Sequence, residues 1–261
     1  VFILILVVAI AALVLMIVKA KMHPVLALFI AALGTGIALG YGVTGSVDYI
    51  SNGFGGTLGS VGITIILGAI ISMAIEDTGA AKVIANFFIK LFRGKRMELA
   101  PALTAFIMSI PVFGDITMVL TAPIASMLSK RKHISMSTMA SFTGLGLFLT
   151  HGLVPPTPGI LAVSILLGAD IGTVIIIGLI CSVISFVVCY LGLRPVYAKG
   201  EYVAPLPQYT EGIEAVEDTN DVNALLIKED NTPSAGASFL PLLLPLSLIH
   251  ISEPTRPISI S

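Results

Sequence analysis

Two ionisable side chains stand out in this chain because their surroundings are almost wholly apolar. Asp115 follows Pro111-Val112-Phe113-Gly114, and His151 lies in Thr150-His151-Gly152-Leu153-Val154-Pro155-Pro156-Thr157-Pro158-Gly159. At membrane depth such groups are costly and mark ion or substrate pathways. Histidine is the side chain whose charge changes near neutral pH, so His151 is a candidate proton carrier. It is equally suited to bond a carbonyl that the prolines set free. Asp115 could hold a coupling proton or serve as a helix N-cap. The hydroxyls of Ser109, Thr117, Thr150 and Thr157 lie close by, and neither stretch contains Lys or Arg. Hydroxyls and backbone amides without a cation suit a hydroxylated carboxylate better than a multiply charged phosphate.

The elements that carry these residues must be interrupted helices. The apolar run from Met136 to Leu167 would be roughly 48 Å long as one helix, beyond the ~30 Å core of a bilayer. Pro155, Pro156 and Pro158 remove backbone donors and break it. Leu99–Met127, roughly 43 Å as one helix, is interrupted at Pro111–Asp115. Backbone freed at such depth must line a cavity inside protein, because lipid cannot satisfy it. A half-helix restarting near Asp115 and another near Pro158 would aim two partial positive charges at an anion.

Composition agrees with the membrane. Mean hydropathy is +1.02, with 56% hydrophobic and 11% charged residues, against about 25% charged in soluble domains. The reading is an all-α polytopic membrane protein. A net charge of −1 gives no sign of a nucleic-acid partner. Cys181 and Cys189 share one apolar run and read as core residues, so no metal site is expected.

Taken in order, 1–193 is expected to form the membrane domain. Its spans are about 1–18, 25–42 and 58–75, with Ser46–Gly59 a loop holding a short helix. An amphipathic interfacial helix follows over 79–96, with Val83, Ile84, Phe87, Phe88 and Leu91 on its apolar face. Next come a re-entrant hairpin over 99–127, a broken span over 136–167 and a span over 171–193. The hairpin is preferred because basic clusters at 93–96 and 130–132 then share the cytoplasmic side. An acidic cytoplasmic linker, 194–236, precedes the start of another apolar segment at 237–245. Residues 246–261 are read as a sequencing-adapter scar, since Leu246–Arg256 back-translates to a transposase-type adapter.

Gly55-Gly56-Thr57-Leu58-Gly59-Ser60, Thr78-Gly79-Ala80-Ala81, Pro111–Asp115 and above all Thr150–Gly159 make the chain resemble the gluconate permease family. The resemblance implies the first repeat of an inverted-repeat transporter, proton symport of gluconate or a related sugar acid, and a bacterial inner-membrane location. It also implies a site shared with a second repeat, so this chain alone is expected not to transport. The candidate substrate-binding set is Ser109, Phe113, Gly114, Asp115, Thr117, Thr150, His151, Gly152, Pro155, Pro156, Thr157 and Gly159, with His151 and Asp115 as proton-coupling candidates. No cofactor is expected beyond the coupling proton, sodium is not excluded, and a homodimer is left open. Two other classes compete: a sodium-coupled carboxylate symporter of the same fold, and an intramembrane hydrolase using Ser109, Asp115 and His151.

Overall fold

The computed structural model describes residues 2–211, 222–227 and 233–241, with the backbone alone at Ser60 and Thr64. Every regular element among the described residues is helical. The chain divides into two compact units, Val1–Gly62 and Ile63–Ser261.

In the first unit α1 (Phe2–Val18) packs on α2 (Pro24–Ala38). Pro24 opens α2, where its missing N–H has no helical partner to lose. α3 then runs from Gly42 to Asp77 without a loop, passing into the second unit. The loop expected over Ser46–Gly59 is therefore helix. Glycine weakens a helix in water, but in an apolar setting the backbone must satisfy its own hydrogen bonds, and a helix does so locally. Gly36 matters for packing within this unit: a Cβ there would overlap the Ser46 hydroxyl of α3.

The second unit continues with α4 (Ala80–Phe92), α5 (Leu99–Met108), α6 (Gly114–Lys132), α7 (Met136–Leu153), α8 (Pro158–Leu166) and α9 (Ile171–Tyr197). A 3-10 turn at Pro207–Tyr209 and the short α10 (Val222–Leu225) follow. α7 is central, with α5, α6 and α9 all packed on it. Gly146 permits the close approach of α5, since a Cβ there would run into the Ala102 carbonyl. Phe106, Phe142, Phe186 and Tyr190 fill the layer between α5, α7 and α9. A second core cluster joins α4, α5 and α6 through Ile84, Phe88, Met108, Val112 and Leu128, and a smaller third one holds Ile110, Val154 and Ile175.

Met136–Leu166, which carries α7 and α8, and Ile171–Tyr197 are long and apolar enough to cross a membrane, and α3 adds a third if its two parts count as one span. α1, α2 and α5 are shorter apolar helices. α4 is amphipathic, but its buried face is Ala80, Ala81, Ile84, Ala85, Phe88 and Ile89. Phe87 and Leu91, expected on that face, are exposed. Ile84 and Phe88, also expected on that face, are buried, with alanines beside them.

The segment expected as a solvated linker begins later and is partly packed. α9 reaches Tyr197, past residue 193. Met136 N–H then donates to Val203 O at 2.8 Å, and Val203 N–H donates to Ser135 Oγ at 3.0 Å. Leu225 is completely buried. The acidic positions 214, 217, 218, 221, 229 and 230, and the expected adapter stretch 246–261, lie outside the described residues.

Candidate functional site

α5 ends at Met108, Ser109 is its C-cap, and α6 starts at Gly114. Pro111 cannot donate to the ladder and restricts Ile110, so this five-residue stretch cannot continue a helix. The N-cap of α6 is Phe113, in extended conformation and with no side-chain capping bond. Asp115 sits inside the first turn of α6, so it is not the N-cap that its residue type suggested. It is exposed, as an acid beside the free N–H groups of a helix end.

The second interruption lies between Leu153 and Pro158. Val154 and Pro155 are buried, Pro156 is half-buried, and the Pro155–Pro156 bond is cis. Thr157 is the N-cap of α8, but its hydroxyl turns back: it donates to His151 O at 2.7 Å and to Val154 O at 3.2 Å. Carbonyls released by the prolines are thereby satisfied from within the break. α9 closes the same region, since a Cβ on Gly178 would collide with the Leu153 carbonyl.

The two interruptions are joined by a hydroxyl cluster. Thr150 Oγ1 donates to Phe106 O at 2.8 Å, and Ser109 Oγ lies 3.1 Å from Leu147 O. Ser109 and Thr150 also bond each other. Both residues are fully buried. These hydroxyls latch the end of α5 to the last turns of α7, and they are spent on protein partners.

Beside this latch is a cavity of about 360 Å³ lined by Phe113, Gly114, Asp115, Met118, Leu147, Phe148 and His151. Gly114 keeps the start of α6 close to α7: a Cβ added there would lie 3.6 Å from His151 Cδ2 and 3.4 Å from Leu147 Cδ2. The Phe113 ring faces Gly68 of α3, 3.6 Å from where a Cβ would be. His151 Nδ1 is buried and has no hydrogen-bond partner, and the same holds for Thr117 Oγ1. A buried donor or acceptor without a partner is rare and costs stability unless a ligand or water supplies the bond.

Of the twelve residues singled out from the sequence, the cavity brings together Phe113, Gly114, Asp115 and His151. Ser109, Thr150 and Thr157 support the walls through the bonds above. Thr117 is buried one turn behind the tip. Gly152, Pro155, Pro156 and Gly159 line no part of the cavity, and Gly152 and Gly159 are exposed. The N-terminus of α8 contributes no lining residue, so the cavity is built on one helix start instead of two. Leu147, Phe148 and Met118 were missed. Helical spacing could have found them: Leu147 and Phe148 precede His151 by four and three residues, and Met118 follows Asp115 by three.

The arrangement can place one carboxylate and one imidazole on a small ligand, against a largely apolar wall with no lysine or arginine among the lining residues. No group of three metal-ligating side chains occurs among the described residues.

Comparison with known proteins adds an independent line. Residues 1–256 match the family described as GntP family permease. An uncharacterized permease of Haemophilus influenzae is 35% identical, over 94% of this chain and 50% of that protein. A gluconate permease of Pseudomonas aeruginosa is 33% identical, over 93% of this chain and 52% of its own length. The D-serine transporter DsdX of Escherichia coli K12 is 32% identical, over 94% and 53% respectively. The chain thus spans about half the length of the curated relatives it matches. No solved structure matches it.

Proposed function

Because this chain belongs to the GntP family of permeases, we propose that it supplies one part of a secondary transporter. The cargo is a small hydroxylated organic acid, gluconate or a related sugar acid, carried across the bacterial inner membrane with a proton. Membership in a permease family, and apolar helices of span length, make it a multi-pass membrane protein. The hydrolase alternative has no support beside that membership.

One observation carries the site reading. The cavity at the restart of α6 holds Asp115 and His151 together, and His151 Nδ1 is buried without a protein partner. Relatives named for gluconate and for D-serine share a small, hydroxylated carboxylate as cargo. The carboxylate would meet the free N–H groups at the start of α6, and the hydroxyls would meet His151. Entry of an anion together with a proton removes the net charge that must cross the bilayer. His151 is favoured as proton carrier, with Asp115 as the second candidate. In this reading 99–127 is a re-entrant hairpin, and the basic clusters at 93–96 and 130–132 both face the cytoplasm. The chain forms the first of two inverted repeats.

The test is His151→Gln in the full-length protein carrying this chain. Glutamine keeps a hydrogen-bonding side chain but does not titrate. Accumulation of labelled gluconate driven by a pH gradient is expected to fail, while downhill exchange persists. Normal, pH-dependent accumulation by the variant would make the imidazole structural. Replacing the pH gradient with a sodium gradient separates the two coupling ions.

A further inference from the structure

The polar segment after α9 does not simply leave the molecule. Asn86 of α4 pairs with the backbone of Ile227 in both directions: its Nδ2 donates to Ile227 O at 2.9 Å, and Ile227 N–H donates to its Oδ1 at 2.8 Å. Arg131, in the last turn of α6, donates to Ala224 O at 2.8 Å and reaches Leu226 O at 3.4 Å. Lys130 donates to Thr210 O at 3.0 Å. Leu225 is fully buried in the core cluster built by α4 and α6, with Val222, Leu226 and Ile227 packed against it. The α4–α6 surface is therefore a peptide-binding groove, occupied by residues 222–227 of the same chain.

The grip is modest. One buried leucine and a handful of hydrogen bonds offset the entropy of ordering six residues, with little surplus. The cationic anchors also hold neutral carbonyls. A cation bonds an anionic oxygen about twice as strongly as a neutral one. Lys130 and Arg131 stand just before Met136, where a span-length apolar stretch begins; in the topology proposed above, on which this inference rests, they lie at the level of lipid headgroups. Burial lowers the pKa of Arg131, yet a guanidinium stays charged in proteins.

We infer that residues 222–227 form a releasable strap, and that phosphate-bearing anionic headgroups displace it by competing for Arg131, with Lys130 beside it adding to the attraction. The strap then reports lipid composition to the end of α6 opposite Gly114 and Asp115.

The experiment is hydrogen exchange at the Ile227 amide, with the full-length protein in nanodiscs. Protection in pure phosphatidylcholine is expected to fall at least tenfold when phosphatidylglycerol is included. Adding inorganic phosphate to the phosphatidylcholine discs separates a free anion from a headgroup: an unchanged amide assigns the effect to lipid, and an equal fall makes free phosphate the competitor and overturns the lipid assignment. Asn86→Ala is expected to lose the protection in either lipid while the amides of α5 and α7 stay protected. In Arg131→Gln the ratio between the two lipids should approach one. Equal protection of the unmodified protein in both lipids, or a tenfold lipid response persisting in Arg131→Gln, would overturn the proposal.

Discussion

Pro111 alone interrupts the first broken element, whereas Pro155, Pro156 and Pro158 crowd the second. By proline count the second should be the more open. The structure has it the other way. Neither helix start has a side-chain cap, but only the first sets its opening residues, Gly114 and Asp115, against the cavity. The second is sealed by the Thr157 hydroxyl on His151 O and Val154 O, and by the bare backbone of Gly178 against Leu153 O. Prolines mark where a helix is easily interrupted. Whether the freed polar groups are offered to a ligand depends on which neighbours reach them first. In this molecule α9 and a threonine reach the second break, while a cavity is left beside Asp115 and His151 at the first.

The contrast can be broken from either side. Gly178→Val drives a side chain into the Leu153 carbonyl and should cost about 3 kcal/mol, the upper range for overpacking; thermal unfolding in detergent would register it as a large drop in Tm. A Tm unchanged by this variant would mean that α9 does not seal the second break. Asp115→Asn should lower proton-driven accumulation at least tenfold, about 1.4 kcal/mol, with stability hardly altered because the carboxyl is exposed. Full accumulation by Asp115→Asn would leave the open break without a functional acid. Thr157→Val removes a hydroxyl from two carbonyls and should destabilise by about 1 kcal/mol while transport is kept. Should Thr157→Val instead abolish uptake at unchanged stability, the second break faces substrate and the contrast fails. Gly152→Ala is the smallest case. Nothing lies within 4 Å of an added Cβ, so the change should stay within about 0.5 kcal/mol; a strong loss of uptake would restore Gly152 to the site.

Much of this was legible in the chain itself. Hydropathy and the small charged fraction determined the helical membrane class, because a backbone in apolar surroundings has few other ways to bond. Prolines at 111, 155, 156 and 158 located both interruptions, because a residue without an N–H removes a bond from the helix ladder, although Pro123 inside α6 and Pro195 inside α9 show that a proline does not by itself end a helix. The residues Phe113, Gly114, Asp115 and His151 were identifiable because charge and turn chemistry are local properties. Tertiary structure alone decided the rest. It turned Ser46–Gly59 into helix, since internal hydrogen bonding outweighed the glycines. It buried Ile84 and Phe88 of α4 together with Ala80, Ala81 and Ala85, and left Phe87 and Leu91 exposed. It spent Ser109, Thr150 and Thr157 on protein carbonyls, and it brought Asn86 to Ile227 across 141 positions of sequence. Which partner a hydroxyl or amide finds depends on chain segments far away in sequence, and no spacing rule along a single helix encodes that distance.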